Sequence, residues 1–132
     1  MSMKLLLIDD DPVATAVYRK RFEAEGFNVE VAADGAEGLI AAEACSPDVV
    51  LLDLDMPRVS GIDWLVAVRD DPRFEHLPIV VLTAGAIAWQ ERAVRNADVA
   101  QVLPKAKTSP RVLVNAVRAA ALAGAASRLE QP

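Results

Sequence analysis

Three stretches of consecutive apolar residues, LLLI at 5–8, VVLL at 49–52 and IVVL at 79–82, constrain the fold of this chain more than any other feature. A strand that is apolar at every position, not at alternate ones, is buried on both faces, which is the condition of a central strand in a parallel sheet. Two more strand-length segments lie at 29–32 and 100–103, and stretches of helical period separate all five. Strand and helix therefore alternate from end to end. Alternation of this kind predicts right-handed crossovers and a parallel sheet covered by helices on both faces.

Turn residues place the helix ends. Asp11-Pro12 reads as an N-cap and first-turn pair, and the helix it opens ends at Gly26. Asp34-Gly35 opens a second helix that stops before Ser46-Pro47, because a residue preceding proline avoids the α region. Gly61 begins a third, running to about Asp70 and closed by Asp71-Pro72. A fourth is expected over residues 87–96, and Ser109-Pro110 starts a fifth that reaches about Ala123. Residues 1–125 then form one domain of five β/α units, and 126–132 read as a flexible tail.

Bulk properties narrow the function classes. With 132 residues the chain suits one domain that buries roughly two-thirds of its unfolded surface without disulfides. Its single cysteine, Cys45, reads as a small buried thiol. A net charge of -5 with no basic stripe argues against direct nucleic-acid binding. No basic segment followed by an apolar core opens the chain, and no uninterrupted apolar run approaches the ~18 residues of a membrane span. A cytoplasmic protein is expected, with no membrane partner.

The chemistry lies where the apolar runs end. LLLIDDDP carries Asp9, Asp10 and Asp11, and VVLLDLDMP carries Asp53 and Asp55. If the two runs are neighbouring parallel strands, Asp9, Asp10 and Asp53 meet at the carboxyl edge of the sheet, where ligands of open α/β sheets bind. Carboxylates so gathered raise one another's pKa or require a cation. Oxygen-only ligation suits Mg²⁺, which keeps several waters and shares phosphate. Adjacent Asp9 and Asp10 should not face the same way at a strand end, so one would ligate directly and the other through water. Asp11 is assigned to the helix cap. Thr83, after IVVL, brings a hydroxyl to the same edge, and Lys105, in QVLPKAK, is the cation placed to reach the acids.

In these segments, with EGFNVEVAADGAEGL and PDVVLLDLDMPRVSGID, the chain resembles the response-regulator receiver domains of two-component signalling over about residues 4–122. The resemblance implies a three-layer α/β/α sandwich of flavodoxin-like type with a five-stranded parallel sheet. It implies that Asp53 accepts a phosphoryl group from a phosphohistidine on a sensor histidine kinase or histidine phosphotransfer protein. Asp10 would ligate Mg²⁺ directly, Asp9 mainly through water, and Asp55 through its backbone carbonyl. Thr83, the Ala84 backbone and Lys105 would hold the phosphoryl group, and a downstream effector protein would read the switch. Such a domain is no enzyme beyond phosphoryl transfer to its own aspartate and loss of that group.

The chain departs from the family pattern near its output end. Ala106, not proline, follows Lys105, so a trans Lys105-Ala106 peptide is expected, since a cis bond there would cost ~3 kcal/mol. Val102 stands where the family commonly has an aromatic, so output is expected through the loop after Thr83 and the fourth helix. Trp89, Val102, Leu113 and Val117 are candidates for an output or homodimer face formed by the fourth helix, fifth strand and fifth helix. His76 reads as a surface residue. Two rival functions are a Mg²⁺-dependent phosphatase of haloacid-dehalogenase type, suggested by Asp53-Leu54-Asp55, and a receiver-like module that no longer switches. The first puts its nucleophile on the strand nearest the N-terminus, and has Thr or Val where this chain has Pro57.

Overall fold

A computed structural model of the chain describes residues 2–56, 61–84 and 94–130. In order these form β1 (Lys4–Ile8), α1 (Pro12–Ala24), β2 (Asn28–Ala32), α2 (Gly35–Cys45), β3 (Val49–Asp53) and α3 (Gly61–Arg69). A 3₁₀ turn (Pro72–Phe74), β4 (Ile79–Thr83), β5 (Gln101–Pro104), a second 3₁₀ turn (Lys105–Lys107) and α4 (Pro110–Glu130) complete them. Every strand pairing is parallel, and the sheet order is β2-β1-β3-β4-β5.

The three continuous apolar runs are the three inner strands, as expected. All five residues of β3 are buried, and Leu5, Leu6, Ile8, Val49, Val50, Leu51, Leu52, Ile79, Val80 and Val81 have no exposed surface. Their side chains divide between two clusters. Leu6, Ile8, Val50, Leu52, Ile79 and Val81 face Trp64, Leu65 and Val68 of α3, whereas Leu5, Leu7, Val49, Leu51, Val80 and Leu82 face Phe22 of α1 and Leu113, Val114 and Val117 of α4.

The helix starts follow the expected caps. Asp11 Oδ1 accepts from the Val13 N–H at 2.9 Å with Pro12 in the first turn, and Asp34 Oδ1 accepts from the Glu37 N–H at 2.8 Å. Such caps satisfy N–H groups that have no partner within the helix. Gly26, at φ 94°, takes the left-handed conformation that ends the α1 turn, and α2 gives way to the left-handed Ser46 before Pro47.

Three expectations are corrected or left open. The fifth helix does not stop near Ala123 but continues to Glu130, so 126–130 are helical. Gly124 permits this: a Cβ there would collide with the Pro78 ring, so its absence lets the helix pass close to the residue before β4. Leu113 and Val117 are 1% and 0% exposed, so they are core residues and not part of an output face. Their four-residue spacing puts them on the stripe that faces the sheet. Val102 and Val112, by contrast, are exposed. Trp89 and most of the helix expected at 87–96 lie outside the described residues, of which 94–96 are helical.

α4 is also apolar enough over residues 110–129 to match a membrane span by length and composition. Its stripe of Leu113, Val114, Val117 and Ala121 is packed against the sheet, and Arg118 bridges to the Glu25 carbonyl oxygen and carboxylate at 3.1 and 3.3 Å. Those contacts are those of a core helix in a globular domain.

Candidate functional site

The sheet order reverses direction between β1 and β3, the switch point at which open α/β sheets leave a crevice beyond their carboxyl ends. Asp9 and Asp10 follow β1, and Asp53 is the last residue of β3, so the acids flank that crevice. One carboxylate oxygen from each of Asp9, Asp10 and Asp53 lies within 4.8 Å of the others. Asp9 is buried and Asp10 exposed, yet an oxygen of each reaches this cluster. β1 ends at Ile8, so strand alternation no longer governs the next two residues and both reach the same place.

Burial distinguishes the acids. Asp9 is 4% and Asp53 3% exposed, whereas Asp10 is open to solvent. Asp9 Oδ1 accepts from the Asp11 N–H at 2.9 Å, and its own N–H donates to the Ala32 carbonyl oxygen at 3.1 Å. Burial pushes the Asp9 carboxyl up to about 6, and the neighbouring Asp53 adds to the rise against the opposing Asp11 N–H and Lys105. An acid held high by burial, with a second acid adding to the rise, marks a place that a cation would relieve.

Lys105 is the cation the protein itself supplies. It follows β5, and its Nζ lies 2.8 Å from Asp53 Oδ1 and 3.6 Å from Asp55 Oδ2. Partial burial would lower the pKa of its ammonium group, yet the hydrogen bond and charge of Asp53, with Asp9 and Asp55 adding, carry it above the ordinary lysine value. Asp53 Oδ1 also accepts from the Asp55 N–H at 2.9 Å. Thr83 ends β4 and is half-buried, and Ala84 follows it. The Lys105-Ala106 peptide is trans, since no described peptide bond is cis.

Gly61 brings α3 hard against the acidic strand. A Cβ at this position would stand 2.8 Å from the Asp53 carbonyl oxygen and 2.8 Å from the Leu54 Cα. Farther down α3, Arg69 fixes the other end of the layer by donating to the carbonyl oxygens of Ala97 and Phe74, each at 2.6 Å, and of Leu77 at 2.8 Å. Carbonyl oxygens carry no side-chain signature, so only the isolated basic residue at the helix end could have pointed to this role. Asp55 contributes its side chain as well as its main chain, as a residue two positions past Asp53 can: Oδ2 accepts from the Ala84 N–H at 2.6 Å.

The remaining candidates stand apart from this edge. His76 is exposed beside Glu75, with Nε2 to Oε1 at 3.0 Å. Cys45 is a half-buried free thiol whose pKa is pushed up mainly by burial, the setting of an unreactive cysteine.

The donor set is all oxygen and carries three formal negative charges against one lysine, which fits a hard divalent cation such as Mg²⁺ and not a thiophilic metal.

Comparison with known proteins points the same way. The chain is 26% identical over 113 residues to the polar-differentiation response regulator DivK of Brucella ovis, covering 86% of this chain and 92% of that protein. Among solved structures it is similar to a CheY-like response regulator receiver domain protein from Methanospirillum hungatei, with a TM-score of 0.88, 22% identity, and coverage of 96% of this chain and 99% of that one. It also resembles the chemotaxis protein CheY4 of Vibrio cholerae, with a TM-score of 0.83 and 26% identity over 91% of this chain and 99% of that one. The family model described as the response regulator receiver domain matches residues 5–118. With the sheet order, the acids at its switch point and the lysine that meets them, this match shows that the chain belongs to the response regulator receiver domain family.

Proposed function

We propose that Asp53 is the phosphoacceptor of this receiver, taking a phosphoryl group from a phosphohistidine on a sensor histidine kinase or histidine phosphotransfer protein. The observation that carries this reading is the environment of Asp53: a carboxylate 3% exposed at a strand end, held at 2.8 Å by Lys105 and placed beside Asp9 and Asp10. An Asp53 carboxylate oxygen would attack phosphorus, forming the new O–P bond as the P–N bond breaks and the imidazole leaves. No general base is required, because the nucleophile is already a carboxylate.

Each neighbour then has a task. Lys105 and the Asp55 N–H orient the Asp53 carboxylate before transfer, and Lys105 is placed to pair with the phosphoryl oxygens afterwards. Thr83 and the Ala84 backbone, at the end of β4, would contact the same oxygens and carry the signal into the segment that follows. Asp9, Asp10 and Asp53, with the Asp55 carbonyl, would hold Mg²⁺, Asp10 directly and Asp9 chiefly through water. Bound there, Mg²⁺ would neutralise charge on the equatorial oxygens of the transferring group.

Receiver domains are signalling modules and not turnover enzymes, and this one would work in the cytoplasm. Self-catalysed phosphorylation and slow loss of the group are part of the proposal. Output would pass to a downstream effector protein or a second copy of this chain, with exposed Val102 on the surface that changes.

Incubation with Mg²⁺ and acetyl phosphate followed by intact-mass measurement tests the reading. A single phosphoryl adduct, absent in Asp53→Asn, is expected. An adduct that survives that substitution would place the acceptor elsewhere, and turnover of phosphomonoesters would restore the phosphatase.

A further inference from the structure

The Asp55 carboxylate reaches beyond its own strand. It lies two residues past Asp53, yet its Oδ2 reaches the end of the adjacent strand, accepting from the Ala84 N–H at 2.6 Å and lying 3.6 Å from the Lys105 ammonium. An anion thus already accepts from one of the donors assigned above to the phosphoryl group and lies within ion-pair range of the other. The backbone N–H of Asp55 simultaneously donates to Asp53 Oδ1 at 2.9 Å, so one residue holds the acceptor with its main chain and the cradle with its side chain.

A phosphoryl group on Asp53 brings close to two negative charges and oxygens that require the same N–H and ammonium. The Asp55 carboxylate is disfavoured there: it would be a like charge beside the incoming group in a partly buried site, competing for the single N–H of Ala84 and for the charge of Lys105.

Resting on the reading of Asp53 as acceptor, we propose that the Asp55 carboxylate is the resting occupant of the phosphoryl cradle, holding Ala84 at the end of β4 in its unphosphorylated position until phosphorylation displaces it. Displacement frees the Ala84 N–H for the new anion and releases the Asp55 side chain to solvent. The exchange of one anion for another thereby couples chemistry at β3 to movement at the end of β4. It offers a route for output in a chain with Val102 in place of the usual aromatic.

The test compares the wild type with Asp55→Ala, which empties the cradle, and Asp55→Asn, which keeps an acceptor but removes the charge. In the unphosphorylated protein the Ala84 amide, read by ¹⁵N NMR, is expected to exchange with solvent at least about tenfold faster in Asp55→Ala. At saturating Mg²⁺, beryllofluoride, a phosphoryl analogue, is expected to bind about tenfold tighter to Asp55→Ala, with Asp55→Asn between that variant and the wild type.

An Ala84 amide indifferent to Asp55→Ala, or beryllofluoride bound no tighter by either variant, overturns the proposal. If the wild type itself neither accepts phosphoryl on Asp53 nor binds beryllofluoride, the functional reading fails and this proposal falls with it, an outcome distinct from failure confined to the variants.

Discussion

Lys105 Nζ sits 2.8 Å from Asp53 Oδ1, an ion pair made across the width of a strand, because β4 lies between the β3 that ends in Asp53 and the β5 that precedes Lys105. The carboxylate is 3% exposed and the lysine side chain 33%, so the pair is buried at one end and wet at the other. A half-buried pair of this kind is weakly stabilising as a unit but costly to break, since the acid stays behind without its cation.

Lys105→Met should therefore destabilise the metal-free protein at neutral pH by about 1–3 kcal/mol, the exposed lysine end keeping the effect modest. Saturating Mg²⁺ should recover most of the loss by supplying another cation to Asp53. Urea midpoints measured in EDTA and in Mg²⁺ check this, and a loss of equal size in both would show that Lys105 does not serve Asp53 electrostatically.

Asp9 sets a pH dependence of unusual sign. Its folded pKa of about 6 lies above the value of 3.8 expected for a free side chain, so between them the folded state binds more proton than the unfolded chain. Stability then falls as pH rises through that window, by on the order of 2–3 kcal/mol once both states are ionised. Asp9→Asn removes this contribution. In EDTA the variant should match the wild type near pH 4 and exceed it at pH 7, and Mg²⁺, by favouring the charged carboxylate, should narrow the gap. Parallel stability curves for the two proteins across that range would refute the assignment.

The acidic edge was legible in the sequence because apolar runs such as IVVLT and LLLI leave no ambiguity about central strands, and a carboxylate directly after one can only emerge at the sheet edge. The helix phase near the C-terminus was less so. Val112, Leu113 and Val114 are contiguous, so composition alone does not say that Leu113 and Val114 are buried and Val112 exposed. Contacts to backbone groups were the least legible of all. The Ala84 N–H that receives Asp55, and the carbonyl oxygens that receive Arg69, are identical in every sequence and acquire meaning only through the fold.

Arg69 makes that last point testable. Burial lowers the pKa of its guanidinium against the opposing charge of Asp98, and its nitrogen atoms bond carbonyl oxygens on both sides of β4 in the chain. A lysine has one donor centre and cannot span these acceptors. Arg69→Lys should cost about 2–4 kcal/mol by leaving half-buried carbonyls unpaired, with hydrogen exchange rising at 74–77 and 97–98 before it rises in β1 or β3. A loss below about 0.5 kcal/mol would mean that water replaces the guanidinium freely.

Gly61 reverses a familiar preference. Alanine normally stabilises a helix over glycine by ~1 kcal/mol, and Gly61 is the first residue of α3. Here the added Cβ would meet the Asp53 carbonyl oxygen and the Leu54 Cα, each at 2.8 Å, and both are backbone that cannot swing aside. Overpacking of this kind costs about 1–3 kcal/mol, enough to outweigh the propensity gain. Gly61→Ala should therefore lower stability, and because relief requires moving either α3 or the end of β3, it should also slow phosphoryl acceptance at Asp53. Thermal unfolding and the rate of adduct formation with acetyl phosphate measure the two effects. A variant as stable as the wild type and equally fast would show that α3 can withdraw from the strand without disturbing the acceptor.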